Sequence, residues 1–142
     1  MSYTFHEDVS LADVAFSLKG STLEETLLDA AKATFEVMVK PGQVKPKESW
    51  SFQLKEPTPE KLLFSWLEEL IYLKDAEYCL LSQFDFTIAH HKGSYTLKAT
   101  VKGEEINQKK HTMNVDVKAV TYHHFSLEKT KKGWEGFVIL DI

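Results

Sequence analysis

Apolar residues recur along the chain in two periods, and the switches between them mark out the elements. Val14, Phe16 and Leu18 alternate with polar neighbours, which predicts a first strand over residues 9–19, ended by Gly20. The spacing then changes to three and four at Leu23, Leu27, Ala30, Ala31, Thr34, Phe35 and Met38. That is one face of an amphipathic helix, and Pro41-Gly42 terminates it. Ser21 and Thr22 each have an acid three positions on, so a capping box forms in either frame. Alternation returns over residues 44–55, with Trp50, Phe52 and Leu54 on one side. Thr58-Pro59-Glu60 combines a cap, a proline at the first helical position and an acid in the first turn, and so opens a second helix. Its stripe (Leu62, Leu63, Phe64, Trp66, Leu67, Leu70, Ile71 and Leu73) is too wide to be covered from one side, with Glu68 and Glu69 on the polar flank. Four strands follow, over residues 78–90, 94–102, 114–124 and 134–142. His91-Lys92-Gly93-Ser94 turns the first pair, and a polar loop spans 103–112.

The last two strands read as a hairpin. Val115, Val117, Ala119, Thr121 and His123 fall on one face of a period of two, and Asn114, Asp116, Lys118, Val120 and Tyr122 on the other, so Lys118 is expected to point outward. Val138-Ile139-Leu140 is followed by Asp141 and Ile142, and an acid after such a run faces either solvent or a cation.

Helices early and strands late, in the order β-α-β-α-β-β-β-β, predict an α+β fold: a mostly antiparallel sheet with two helices packed on one face, as a single domain over residues 1–142. A hydrophobic share of 43% over 142 residues supports a core of that size. No stretch approaches the roughly 18 apolar residues of a membrane span, and the opening residues lack a basic and apolar leader, so a cytoplasmic protein is expected. Cys79, alone of its type, lies in Tyr78-Cys79-Leu80-Leu81 and reads as a small core residue. All 17 basic residues are lysine and the net charge is -4. Without arginine the chain lacks the bidentate phosphate and guanine donor, which argues against tight binding of nucleic acid by this chain alone. The basic spots at Lys109-Lys110 and Lys129–Lys132 read as solvated loop lysines.

The six histidines have poor metal-site spacing. His90-His91 and His123-His124 are adjacent pairs, and neighbours on a straight strand point to opposite faces. No nucleophile motif, zinc motif or phosphate-cradling glycine loop is present. The aspartates are less usual, because strand interiors disfavour Asp, yet Asp13 sits in Ala12-Asp13-Val14 and Asp141 in Leu140-Asp141-Ile142. Spacing alone leaves both a solvent-facing acid and a hard-cation ligand open.

Several blocks taken together carry a family resemblance: Ala12-Asp13-Val14, Thr22-Leu23-Glu24-Glu25, Phe35-Glu36-Val37-Met38, Trp66-Leu67-Glu68-Glu69-Leu70-Ile71-Tyr72-Leu73, Val117-Lys118-Ala119-Val120-Thr121-Tyr122-His123 and Val138-Ile139-Leu140-Asp141-Ile142. With them the chain resembles archease over nearly its whole length. That resemblance implies a small α+β protein assisting an RtcB-type RNA ligase, which joins RNA ends using GTP and a divalent metal. Archease promotes ligase guanylylation and multiple turnover, in tRNA splicing or RNA repair, and is not itself the enzyme; RNA is met only through the ligase. Carried over by position, the resemblance implies a divalent ion (Ca, Mn or Mg) on Asp13, Asp141 and the main-chain oxygen of Ile142. It also matches Lys118 and His111 to family positions, for which a contact to partner or phosphate is expected. One departure is the pair Ser10-Leu11, where relatives carry His-Thr.

Three classes of function stand side by side. The first is a metal-bearing accessory protein of an RNA ligase, the second a stand-alone metal-dependent enzyme using Asp13 and Asp141, and the third a chaperone-like binding module, which needs an exposed apolar patch.

Overall fold

A computed structural model describes residues 2–6 and 13–142. Ser10 and Leu11 lie outside the described residues. The elements run β1 (Ser2–His6), β2 (Asp13–Gly20), α1 (Leu23–Met38), β3 (Glu48–Glu56), α2 (Pro59–Glu77), β4 (Cys79–His91), β5 (Ser94–Glu105), β6 (Ala119–Thr130) and β7 (Gly133–Asp141). The α+β class, the two helices and the antiparallel pairing are as the pattern predicts. The strands are divided between two sheets, in the orders β1-β2-β7-β6 and β3-β5-β4. Both helices touch both sheets: α1 packs on β1, β2, β7 and β4, and α2 on β6, β3, β4 and β5. This explains the width of the α2 stripe, in which Leu62, Leu63, Trp66, Leu67 and Leu70 are fully buried.

The helix starts follow from their caps. Thr22 Oγ1 accepts from the Glu25 N–H at 3.1 Å, and the Glu25 carboxylate reaches back to the Ser21 N–H at 3.1 Å. Of the two possible frames, the one from Thr22 forms. Thr58 caps α2 by accepting from the Lys61 N–H at 3.2 Å. The helices are tied to each other by Trp66, whose indole N–H donates to the Leu27 carbonyl at 2.9 Å. A buried indole needs such a partner, and this one fixes the helix pair around a single core. Cys79 is buried there, and burial, with Glu77 and Glu48 nearby, pushes its thiol up to about 12.

Four differences from the sequence pattern have identifiable causes. Strand β1 escapes the pattern because it offers only Tyr3 and Phe5 as alternating apolar residues; its ladder to β2 and a hydrogen bond from the Tyr3 hydroxyl to Glu36 hold it. Strand β5 runs on through Gly103 and Glu104, where a polar loop is expected. A Cβ on Gly103 would collide with the Leu80 carbonyl, so glycine here permits close approach to β4 rather than marking a turn. Residues 114–118 are not a strand, and β6 begins at Ala119. In consequence the expected faces shift: Val117 and Val120 are buried, while Val115 is 45% exposed.

The fourth difference is a bulge in β6. Thr121 pairs with Ile139, and pairing resumes at Ser126 with Phe137, so the four residues Tyr122, His123, His124 and Phe125 face the single residue Val138. His124 takes up the distortion in the left-handed region at φ 53°. Tyr122 lies flat on Phe64 of α2, ring centres 3.8 Å apart, and Phe125 meets the same ring edge-on at 5.2 Å.

Candidate functional site

Strands β2, β7 and β6 lie side by side, and their register brings three residues into one row: Asp13 opposite Asp141, and Asp141 opposite Ala119. Directly opposed residues share a sheet face, with Cβ atoms about 4.5–5.5 Å apart. Phe16 and Leu18, with Val138 and Leu140, belong to the core under the helices, so Asp13 and Asp141, which alternate with that set, point to the opposite side. Both aspartates and Ile142 are half-buried. The N–H of Lys118 donates to the main-chain oxygen of Asp141 at 2.8 Å, which seats Lys118 beside the same row with its side chain exposed. Four of the residues singled out in the sequence, Asp13, Asp141, Ile142 and Lys118, are thus neighbours through sheet register.

This donor set is all oxygen. Two carboxylates, with a main-chain oxygen on the next residue, suit a hard cation such as Ca, Mg or Mn, and offer nothing to favour zinc. Among the described residues no third His, Cys, Asp or Glu joins them in a cluster. Thr121, one row further along the same face, has a buried hydroxyl without a hydrogen-bond partner among the described residues. An orphaned polar atom there fits a face that receives a polar group.

Residues 114–118 owe their course to contacts distant in sequence. The Asn114 N–H donates to the Met38 carbonyl at 2.8 Å, and Met113 bridges to Val39. The decisive contact comes from Lys74 of α2, which is 3% exposed. Its ammonium reaches the Val117 carbonyl at 2.8 Å, Asp116 Oδ1 at 2.7 Å and Asp75 Oδ1 at 2.7 Å. Three donors meet three acceptors, so the buried charge is fully partnered. Lys74 therefore sets the segment that delivers Lys118 to the row. Sequence reasoning passed over it, although the signal was present: Lys74 follows Leu63, Leu67 and Leu70 at helical spacing, inside the buried stripe.

His111 is placed elsewhere. It is 3% exposed, its Nδ1 accepts from the Asn107 N–H at 3.0 Å, and its Nε2 lies 3.2 Å from Glu104 Oε2. The first contact assigns the ring proton to Nε2, which then donates to Glu104. Both nitrogens are engaged within the fold, so the ring organises the loop after β5 and presents neither nitrogen outward. Glu104 is the hub of that loop. Lys110 Nζ reaches both its oxygens, at 2.7 and 2.9 Å, and the Lys45 N–H donates at 2.6 Å. Burial pushes the Glu104 carboxyl up, but the hydrogen bonds from Lys110, Lys45 and His111 outweigh it and hold the group at about 2.

Residues 3–142 match the family model described as the Archease protein family (MTH1598/TM1083). The chain is 36% identical to Protein archease of Methanosarcina acetivorans over 132 residues, covering 92% of this chain and 90% of that one. With Protein archease of Saccharolobus islandicus it shares 39% over 141 residues, 99% of each chain. The solution structure of Methanobacterium thermoautotrophicum protein 1598 superimposes with a TM-score of 0.85 at 32% identity, covering 99% of both chains. A Thermotoga maritima crystal structure, described as an archease and possible chaperone, superimposes at 0.63 with 18% identity over 96% of this chain and 97% of that one, a likeness of fold.

Proposed function

The chain belongs to the archease family, and from that premise we propose that it is a non-catalytic accessory protein of an RtcB-type, GTP-dependent RNA ligase. In this reading it promotes guanylylation and multiple turnover of the ligase, in the cytoplasm, and meets RNA only through its partner. A divalent ion of the hard class, held by Asp13, Asp141 and the main-chain oxygen of Ile142, belongs to the proposal. When bound, such an ion supplies positive charge at a carboxylate-rich surface.

The observation that carries the reading is the register of β2, β7 and β6. It sets Asp13 against Asp141, which lie at opposite ends of the chain, and the Lys118 N–H, just before β6, bonds the Asp141 main-chain oxygen. Lys118, exposed and tied by its N–H to the Asp141 main-chain oxygen, adds a cationic residue beside the acidic row in the backbone, and such a combination of signs presents a polar docking point to a partner. Among the described residues no helix is long and apolar enough to cross a membrane.

The test is an omission series with purified protein, ligase, GTP, Mn and an RNA substrate. Ligation that accelerates only when ligase and this protein are both present supports the proposal. Turnover of RNA or nucleotide without ligase favours the stand-alone enzyme instead.

A further inference from the structure

The bulge in β6 does to His123 and His124 what a straight strand cannot. Adjacent strand residues point to opposite faces, but four residues here span one position of the partner strand, and His124 is in the left-handed region at φ 53°. The two imidazoles end up side by side, ring centres 4.1 Å apart and planes inclined by 54°, and both residues are exposed. Neither ring has a hydrogen-bond partner among the described residues. A non-glycine residue in that region costs on the order of 1 kcal/mol, and β-bulges serve to re-aim side chains.

We propose that His123 and His124 form a two-nitrogen site for a borderline divalent transition ion, of the class of zinc, nickel or copper. With metal–nitrogen bonds of about 2.1 Å, two imidazoles at a right angle on one ion have ring centres about 4.5 Å apart. The observed separation of 4.1 Å is close to that value. Nitrogen donors select this class over Ca and Mg, which separates the site chemically from the oxygen set of Asp13 and Asp141. An ion that takes the two histidines at a right angle, as in square-planar or octahedral nickel or copper, keeps further positions open, for water, a phosphate oxygen or a partner's side chain. The bulge is braced beneath the pair, because Tyr122 and Phe125 both pack on Phe64 of α2. The backbone that aims the rings is thereby fixed to the core while the rings stay accessible. This site stands on its own geometry and is independent of the role proposed for the acids.

The chain carries its own control. His90 and His91 are also adjacent, but they sit in regular β4, paired with Tyr95 and Ser94, and His90 stacks on Tyr95 at 4.0 Å. Untagged protein is titrated with Ni and, separately, with Ca, following histidine ring signals by NMR and heat by calorimetry. The expected result is one nickel per chain that perturbs the rings of His123 and His124 first, and no effect of Ca on them. His123→Ala and His124→Gly should each weaken nickel at least tenfold; glycine suits the left-handed backbone, so the second variant keeps the bulge while removing the ring. His90→Ala and Asp141→Ala should bind nickel as wild type does. The proposal is overturned if wild type takes no nickel at this pair, if either single variant retains wild-type affinity, or if Asp141→Ala abolishes binding.

Discussion

The ammonium of Lys74 lies 2.8 Å from the carbonyl of Val117, and this contact ties the last turn of α2 to the irregular segment entering β6. One residue further on, the Lys118 N–H is bonded to Asp141. A buried helix residue thus fixes, at one remove, the spacing between an exposed lysine and the chain's acidic row.

Replacing Lys74 should therefore do more than destabilise. Lys74→Met fits the apolar stripe but leaves the buried Val117 carbonyl without its donor. Asp116, 64% exposed, can be resolvated, so the cost lies nearer a lost charged hydrogen bond, about 2 kcal/mol, than the loss of a wholly buried pair. Urea unfolding should show that loss. Ligase stimulation should fall further than stability explains, because residues 114–118 are no longer held; unchanged stimulation in the folded variant would detach Lys118 from this anchor.

Lys118→Ala is the complementary change. The side chain is exposed, so the melting temperature should move little. Stimulation of the ligase should weaken, with a reduced salt dependence if the ammonium meets an acidic partner. Equal stimulation by a well-folded Lys118→Ala protein would leave this residue a solvated lysine.

Acid should reveal the Glu104 hub. Its carboxyl is held at about 2 in the fold, below the ordinary value of 4.5. A depressed folded value means that the carboxylate's contribution to stability is present above about pH 4.5 and is lost as pH falls toward 2. Glu104→Gln should thus be destabilised at neutral pH, and its deficit against wild type should shrink across that window in urea unfolding followed by pH. A deficit independent of pH would mean that packing, not charge, accounts for the glutamate.

Much of the frame can be read from the residues alone. The caps at Thr22 and Thr58, the helical stripes and the turn at His91–Ser94 are local, and local chemistry decides them. The acidic row was reached through family resemblance, since nothing in the periodicity pairs Asp13 with a residue far along the chain; only the register of β2 with β7 does so. The misreadings share one cause. Gly103, residues 114–118 and the His123–His124 bulge are all set by distant partners: the Leu80 carbonyl, Lys74 of α2 and Phe64 of α2. A period of two describes a strand that its neighbours leave regular, and in these places they do not.

The acidic row makes the sharpest demand. Two carboxylates about 5 Å apart repel by about 1–3 kcal/mol, from full solvation to an effective dielectric near 20. Without a cation, Asp13→Ala or Asp141→Ala should therefore cost little, since relief of repulsion offsets lost contacts. A bound divalent ion reverses the sign, and binding to the folded state alone stabilises by about 2.7 kcal/mol at a hundredfold excess over the dissociation constant. Thermal melts with Ca, Mn or Mg should accordingly rise for wild type and stay flat for both variants. Fusing residues after Ile142 adds bulk beside its main-chain oxygen and should blunt the same response, whereas fusion before Met1 should not. Because Lys118 is joined to Asp141 through the backbone, a metal-blind Asp141→Ala protein should also stimulate the ligase poorly. If that variant shows the wild-type metal response and stimulates equally, the cation is bound elsewhere and Asp141 is a solvated strand end.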